Sequence, residues 1–141
     1  MTDLIFSTLE AIGFAHPLHP ALTHIPMGMV IGSFFFGLMA LITKKPAYTK
    51  SALHCSVVGI LFIVPTIVAG YLDWQQFFGA TMSVFIIIKF ILAAVLTVLL
   101  AVSIRANLQG AAPGKMFLIY TLCLACAGGL GFSGGELIYG G

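Results

Sequence analysis

Four long apolar runs limit what this chain can fold into more than any other feature of its sequence. They cover residues 21–43, 51–72, 74–104 and 116–135. Each is long enough to cross a bilayer as a helix, which takes about 20 apolar residues. Helices are expected because every backbone polar group inside a membrane must be satisfied within its own segment. The runs also lack the polar and apolar alternation that is typical of membrane barrel strands.

The composition excludes an ordinary soluble domain. Only 7% of the 141 residues are charged and 60% are hydrophobic, whereas about a quarter of the residues of a soluble domain are charged. We therefore predict an all-α integral membrane four-helix bundle, formed by residues 1–141 as a single transmembrane domain. The expected spans are about 20–43, 50–72, 80–105 and 115–137, the third one after a short loop.

The charges are sorted between the two ends of the predicted helices. Lys44, Lys45, Lys50, Arg105 and Lys115 fall between runs one and two or between runs three and four, and Asp3, Glu10, Asp73 and Glu136 fall on the other side. Loops rich in Lys and Arg stay in the cytoplasm, so we expect both termini to face the periplasm or exterior. The net charge of +2 and the absence of a basic stripe argue against a nucleic-acid partner. The bilayer is the expected partner.

The chain begins with a second, shorter helical pattern. Residues 2–13 place polar side chains at helical spacing opposite apolar ones, and Gly13 is suited to end a helix. A short amphipathic helix of this kind is predicted to lie on the membrane surface.

Three of the four histidines lie in the stretch HPLHPALTHIP, residues 16–26. In a structural interpretation, His16, His19 and His24 are interfacial side chains, and Pro20 belongs to the first turn of the helix. In a ligation interpretation, two or three imidazoles bind a transition-metal ion, and Asp73 or Glu136 adds an oxygen. A haem b held by one axial histidine, or shared across a homodimer, is the other cofactor that stays open.

Lys89 is the one charged residue inside the four apolar runs. A charge at that depth is unfavourable by several kcal/mol on insertion scales unless it reaches the interface or pairs. Three interpretations stay open: an extended side chain at the headgroups, an ion pair with Asp73 or Glu136, or a direct role in binding. We therefore count Lys89 with the three histidines as a cofactor-binding candidate.

The cysteines and the fourth histidine carry weaker signals. Cys123 and Cys126 form a C-x-x-C pattern inside an apolar run, where cysteine usually serves as a small apolar residue. The role of His54 stays open. The chain has no P-loop, dinucleotide fingerprint or Gly-x-Ser-x-Gly motif, which favours a protein that is not an enzyme.

Three motifs resemble those of one family. HPLHPALTHIPMG near the start, GYLDW after the second run and GGELIY at the end are similar to the DUF2231 family of bacterial four-helix membrane proteins, whose function is uncharacterised. The resemblance implies a place in the bacterial inner membrane. Some relatives are joined to Rieske or cytochrome c modules, which implies a redox partner of that type. Many relatives have a histidine early in the third helix, where this chain has Lys89 nearby.

The sequence therefore predicts a redox-associated inner-membrane protein. It would bind haem b or a transition-metal ion near its outer face through the histidine cluster, and would serve electron transfer or anchoring. The alternatives are a cofactor-free scaffold or assembly subunit, and a small oligomeric transporter that uses Lys89.

Overall fold

The computed structural model describes residues 2–139, and their backbone forms five α-helices joined by short connections. The helices are α1 (Thr2–Ala11), α2 (Leu18–Thr43), α3 (Pro46–Phe77), α4 (Val84–Leu108) and α5 (Pro113–Tyr139). The four longer helices are each long and apolar enough to cross a membrane. The predicted all-α four-helix membrane bundle is confirmed.

The four long helices pack side by side in a closed ring. Each contacts the next one along the chain, and α5 returns to pack against α2. The chain therefore runs up and down, and the bundle has two ends of different charge. We call the end that carries Glu10, Asp73 and Glu136 the acidic end. The opposite end, where α2 meets α3 and α4 meets α5, is the basic end and carries Lys44, Lys45, Lys50, Arg105 and Lys115.

The exterior of the bundle is as apolar as its interior. Val30, Leu100 and Tyr120 are fully enclosed where the helices meet. Large apolar side chains on the outward faces are more than half exposed, among them Leu61, Val98, Leu118 and Phe132. An exposed apolar surface around all four helices is unfavourable in water and is the surface that a bilayer requires.

Prolines and one serine begin the long helices. Pro46 opens α3 and Pro113 opens α5, where the missing N–H has no partner to lose. The Ser83 hydroxyl accepts a hydrogen bond from the Ile86 N–H at 3.3 Å and caps α4. The start of α2 is capped differently, because the group that accepts hydrogen bonds from its first N–H groups comes from another helix.

The second span is longer than the sequence indicates. α3 continues to Phe77, so Asp73 and Trp74 lie inside the helix and not in a turn after it. The apolar run ends at Leu72, but the helix continues because Asp73 is buried against α2 and has partners there. α1 ends at Ala11, before the positive-φ turn at Gly13, and its Phe6 packs edge-on against Phe77 at 5.3 Å.

Candidate ligand site at the acidic end

The first turn of α2 is completed by a carboxylate from α3. The Leu18 N–H donates to one oxygen of Asp73 at 3.0 Å, and the His19 N–H donates to the other oxygen at 2.7 Å. Pro17 and Pro20, the two other residues of this first turn, have no N–H to donate. All four groups that a helix start leaves without a partner are thus accounted for by two prolines and one buried Asp73.

This arrangement explains the doubled His-Pro motif. Pro17 is the residue that precedes the helix, with no side-chain cap of its own, and Pro20 is the third residue of α2. The prediction that Pro20 lies in the first turn is confirmed. The structure also explains Pro17, which precedes the helix at a position where an N–H would have no partner. Between them, Leu18 and His19 present two adjacent N–H groups that match the two oxygens of a carboxylate.

The imidazole of His19 is held in one orientation. Its Nδ1 atom lies 3.0 Å from the carbonyl oxygen of Thr66 on α3. Because a carbonyl oxygen can only accept, Nδ1 carries the proton in the neutral ring and Nε2 keeps its lone pair. An Nδ1–H bonded to a backbone carbonyl is how proteins commonly orient a histidine that binds through Nε2.

Glycine makes room for this imidazole. A Cβ atom added at Gly70 would come within 2.9 Å of the His19 Nδ1 atom, which is closer than non-bonded atoms tolerate. Thr66, Gly70 and Asp73 follow one another at spacings of four and three, so they share one face of α3. This face supplies the carbonyl, the space and the carboxylate that together position His19.

A cavity of about 100 Å³ lies beside this histidine. It is enclosed mainly by α3 and α4, with contributions from α2 and α5. Its lining comprises two basic side chains and a largely apolar remainder: His19, Lys89, Ile67, Gly70, Tyr71, Trp74, Phe78, Ile86, Phe90, Ala93, Leu130 and Leu137. Sequence reasoning missed Phe90 of α4 here, because an isolated Phe in an apolar span gives no signal.

The aromatic residues of the cavity use their own polar atoms elsewhere. The Trp74 indole N–H donates to the Thr81 carbonyl at 2.9 Å, across the α3–α4 loop. The Tyr71 hydroxyl accepts from the Gln75 side chain at 2.9 Å. The Tyr71 hydroxyl keeps one hydrogen to donate, and His19 and Lys89 are the two basic side chains that can bond a ligand inside the cavity.

Lys89 brings a positive charge to the cavity, close to a negative one. Asp73 accepts a hydrogen bond from the His19 N–H, and Lys89 lines the same cavity as His19, so the two opposite charges lie at one site. The Nζ atom also lies 3.8 Å from the position that a Cβ of Gly134 on α5 would occupy. The absent side chain leaves space for the ammonium at the α4–α5 boundary.

The remaining predicted ligands do not join this site. His16 precedes α2, is exposed and packs edge-on against Phe14 at 6.0 Å. His24 is exposed, since five residues along a helix rotate a side chain by about 140° from His19. Glu136 is half-buried on α5. Among the side chains that the structure describes, no three of His, Cys, Asp or Glu are grouped closely enough to bind a metal ion.

The other titratable residues lie apart from the cavity. His54 is exposed on the third turn of α3, toward the basic end. Cys123 is fully buried and Cys126 half-buried on α5, both as free thiols. The Cys55 Sγ atom fills the space above Gly32. These positions agree with a packing role for the cysteines.

The fold and the site together define a small helical membrane protein with a small cavity at one end of its bundle. A family model described as "Predicted membrane protein (DUF2231)" matches residues 15–141. The chain belongs to this family, as the motifs of the sequence suggested. No curated protein and no solved structure matches it.

Proposed function

We propose that this protein is a redox-associated membrane protein that binds a redox-active molecule at the acidic end of its bundle. His19 and Lys89 would be the binding side chains, and Asp73 and Thr66 would hold His19 in place. The observation that supports this proposal is the fixed imidazole of His19, whose Nδ1 is bonded to Thr66 while the ring lines a cavity. The resemblance to relatives joined to redox modules supplies the redox context.

The positioning of His19 is more elaborate than a structural histidine needs. Its backbone N–H, its ring nitrogen and the space under its ring are each provided by a different residue of α3. Binding sites gain affinity when their groups are held in the bound geometry beforehand. A side chain that only filled an interface would need none of these three constraints.

The charge distribution supports a bacterial inner-membrane location with the cavity outside. Five of the six basic residues lie at the basic end, which the positive-inside rule places in the cytoplasm. The acidic end, both termini and the cavity would then face the periplasm. A cytochrome or Rieske-type partner could approach the cavity from that side.

The expected cofactors fit this site unequally. One imidazole nitrogen can bind a transition-metal ion or a haem iron, and His19 is the histidine placed to do so. A cavity of about 100 Å³ is well below the roughly 300–1,000 Å³ of ordinary cofactor pockets. A haem b would therefore have to lie between two copies of the chain, and not inside one.

The test is to identify what the protein carries from the membrane. We would purify it from haem-replete cells, record oxidised and reduced absorption spectra, analyse metals, and extract bound organic molecules for mass spectrometry. The expected result is one reducible species in a fixed ratio to the protein. That species should be lost in His19→Leu and in Lys89→Met, and kept in His24→Leu, which replaces an exposed histidine of the same helix.

Two results would contradict the proposal. If no reducible species accompanies the folded protein, a cofactor-free scaffold becomes the better description. If a species is bound equally by wild type and by both cavity variants, His19 and Lys89 are not its ligands. The transporter alternative would instead require a solute flux in vesicles that stops in Lys89→Met.

A further inference from the structure

The size of the acidic-end cavity limits its ligand to about one ring. A cavity of about 150 Å³ lined by apolar side chains holds a benzene molecule. The cavity here is about 100 Å³ and is partly open, so a six-membered ring could occupy it while its substituents extend outward. A macrocycle or a nucleotide would not fit without separating α3 from α4.

The aromatic residues that line the cavity favour a flat ligand that enters from the lipid bilayer. Trp74 and Phe90 pack edge to face at 6.0 Å, and Tyr71 lies 5.7 Å from Trp74, so ring faces and edges border the space. Tyr71 on α3 and Phe90 on α4 are also exposed on the outside of the bundle. The cavity therefore opens between these two helices, toward the surface that lipids cover.

The polar groups require a ligand that both donates and accepts. The Nε2 atom of neutral His19 accepts a hydrogen bond, because its Nδ1–H is used by Thr66. The Lys89 ammonium can only donate. A hydroxyl group satisfies both, since it donates its hydrogen to Nε2 and accepts from Nζ.

The charge balance favours a neutral ligand over an anion. The buried Asp73 carboxylate is bonded to His19, and Lys89 lines the same cavity as His19, so one negative and one positive charge offset each other at this site. An anion such as a phosphate would gain little net attraction and would lose its hydration among apolar side chains. This argument separates the cavity from an ordinary site for a lipid headgroup.

From size, walls, polarity and charge together, we propose that the cavity binds the ring of a lipid-soluble quinol. One ring hydroxyl would lie between His19 and Lys89, the ring would pack against Trp74 and Phe90, and the isoprenoid or alkyl tail would leave between α3 and α4. This proposal rests on the proposed function, which supplies the redox character, and names the class of its ligand. The oxidised quinone lacks the hydroxyl hydrogen and would keep only the bond from Lys89.

The chain carries its own reporter for this test. Trp74 is the only tryptophan, and it lines the cavity. We would titrate the protein in lipid nanodiscs with a decyl-substituted benzoquinol under argon. Calorimetry gives the affinity, and the fluorescence of Trp74 shows whether the bound ring is near it. The ligand control is the dimethyl ether of the same quinol, which keeps the ring and tail but has no hydroxyl hydrogen.

We expect saturable quinol binding at one site per chain, with a change in Trp74 fluorescence. The quinone and the dimethyl ether should each bind about tenfold or more weakly, because one hydrogen bond to the imidazole is lost. Lys89→Met and His19→Leu should weaken quinol binding by about tenfold to a hundredfold, since a bond to a charged or fixed group is removed. One matched variant should leave it unchanged: His24→Leu, which replaces an exposed histidine outside the cavity.

The comparison of ligands remains decisive even if a cavity variant does not fold. Equal affinity for quinol and dimethyl ether would overturn the proposal, as would the absence of saturable quinol binding to the wild type. A stoichiometric haem or metal ion at His19, without quinol binding, would overturn the quinol assignment and keep the proposed function. Binding of phosphatidylglycerol that depends on Lys89, with neither quinol nor any reducible species bound, would overturn both.

Discussion

The two ends of the bundle use buried polar groups in opposite ways. At the basic end, the Asn107 side-chain amide donates to the Thr49 carbonyl at 3.2 Å and to the Tyr120 hydroxyl at 3.1 Å. The Tyr120 ring lies directly against Gly37 and is 1% exposed. The space left there is about 20 Å³, which is about enough for one water molecule. At the acidic end, a comparable set of polar groups surrounds a space five times larger.

The difference separates a structural site from the proposed binding site. The polar groups around Tyr120 bond to one another and close the bundle there, although a wider open recess of about 560 Å³ lies at the same end between Lys44, Lys50 and Pro113. The polar groups at the acidic end fix His19 through its backbone N–H and its Nδ1 atom, and the residue lines a cavity. Changes around Tyr120 should therefore affect stability alone, and changes around His19 should affect binding more than stability.

Tyr120→Ala should give the largest loss of stability. Removing a fully enclosed aromatic ring leaves a cavity and should lower the free energy of unfolding by about 3–5 kcal/mol. Unfolding of the purified protein, followed by circular dichroism in a denaturant series, measures this change. Leu122→Ala, an exposed position on the same helix, is the matched control with a small expected effect. If Tyr120→Ala also abolished ligand binding in the protein that remains folded, the two ends would not be independent.

Asp73→Ala should have an intermediate effect on stability. It leaves the N–H groups of Leu18 and His19 without their acceptor, which should lower the free energy of unfolding by about 1–3 kcal/mol. Asp73→Asn keeps one acceptor oxygen and should lose less. Because both variants remove the negative charge beside Lys89, they should also increase the affinity for small anions, measured by calorimetry with inorganic phosphate. Unchanged stability in Asp73→Ala would contradict the capping role of Asp73.

Gly70→Ala should change stability least and still weaken binding. Alanine is better than glycine inside a helix by about 0.5–1 kcal/mol, and this offsets the roughly similar loss of the His19–Thr66 hydrogen bond. The added methyl group would displace the imidazole, so ligand affinity should fall although the melting temperature barely moves. Gly128→Ala, where an added Cβ meets nothing within 4 Å, is the control. Retained affinity in Gly70→Ala would show that the orientation of His19 is unimportant.

The four spans and the bundle could be predicted because they depend on the length and hydropathy of continuous segments. The choice of His19 among three histidines could not. That choice depends on which face of α2 packs against α3, and on how far the two helices are offset along their axes. A hydropathy pattern predicts neither of these. The spacing of Thr66, Gly70 and Asp73 was a usable signal for one face of α3, but nothing in it names His19 as the partner.

Asp73 on α3 shows the same limit of prediction from sequence. The sequence correctly predicted Asp73 at the same end as the histidines. It also predicted that Asp73 lies in the loop after the second span, because the apolar run stops at Leu72. A carboxylate can lie inside an otherwise apolar helix when two N–H groups of a neighbouring helix replace its hydration. That replacement comes from residues more than fifty positions away, so no local pattern could reveal it.

The cap shared between α2 and α3 also bears on how the chain enters a membrane. Until α3 arrives, the first turn of α2 holds two N–H groups without an acceptor, and until α2 is present, α3 carries a carboxylate with no donors. Each defect is costly in a lipid environment and each is removed by the other. The smallest segment that can leave the insertion machinery with its polar groups satisfied at this end is therefore the α2–α3 hairpin, and not either helix alone.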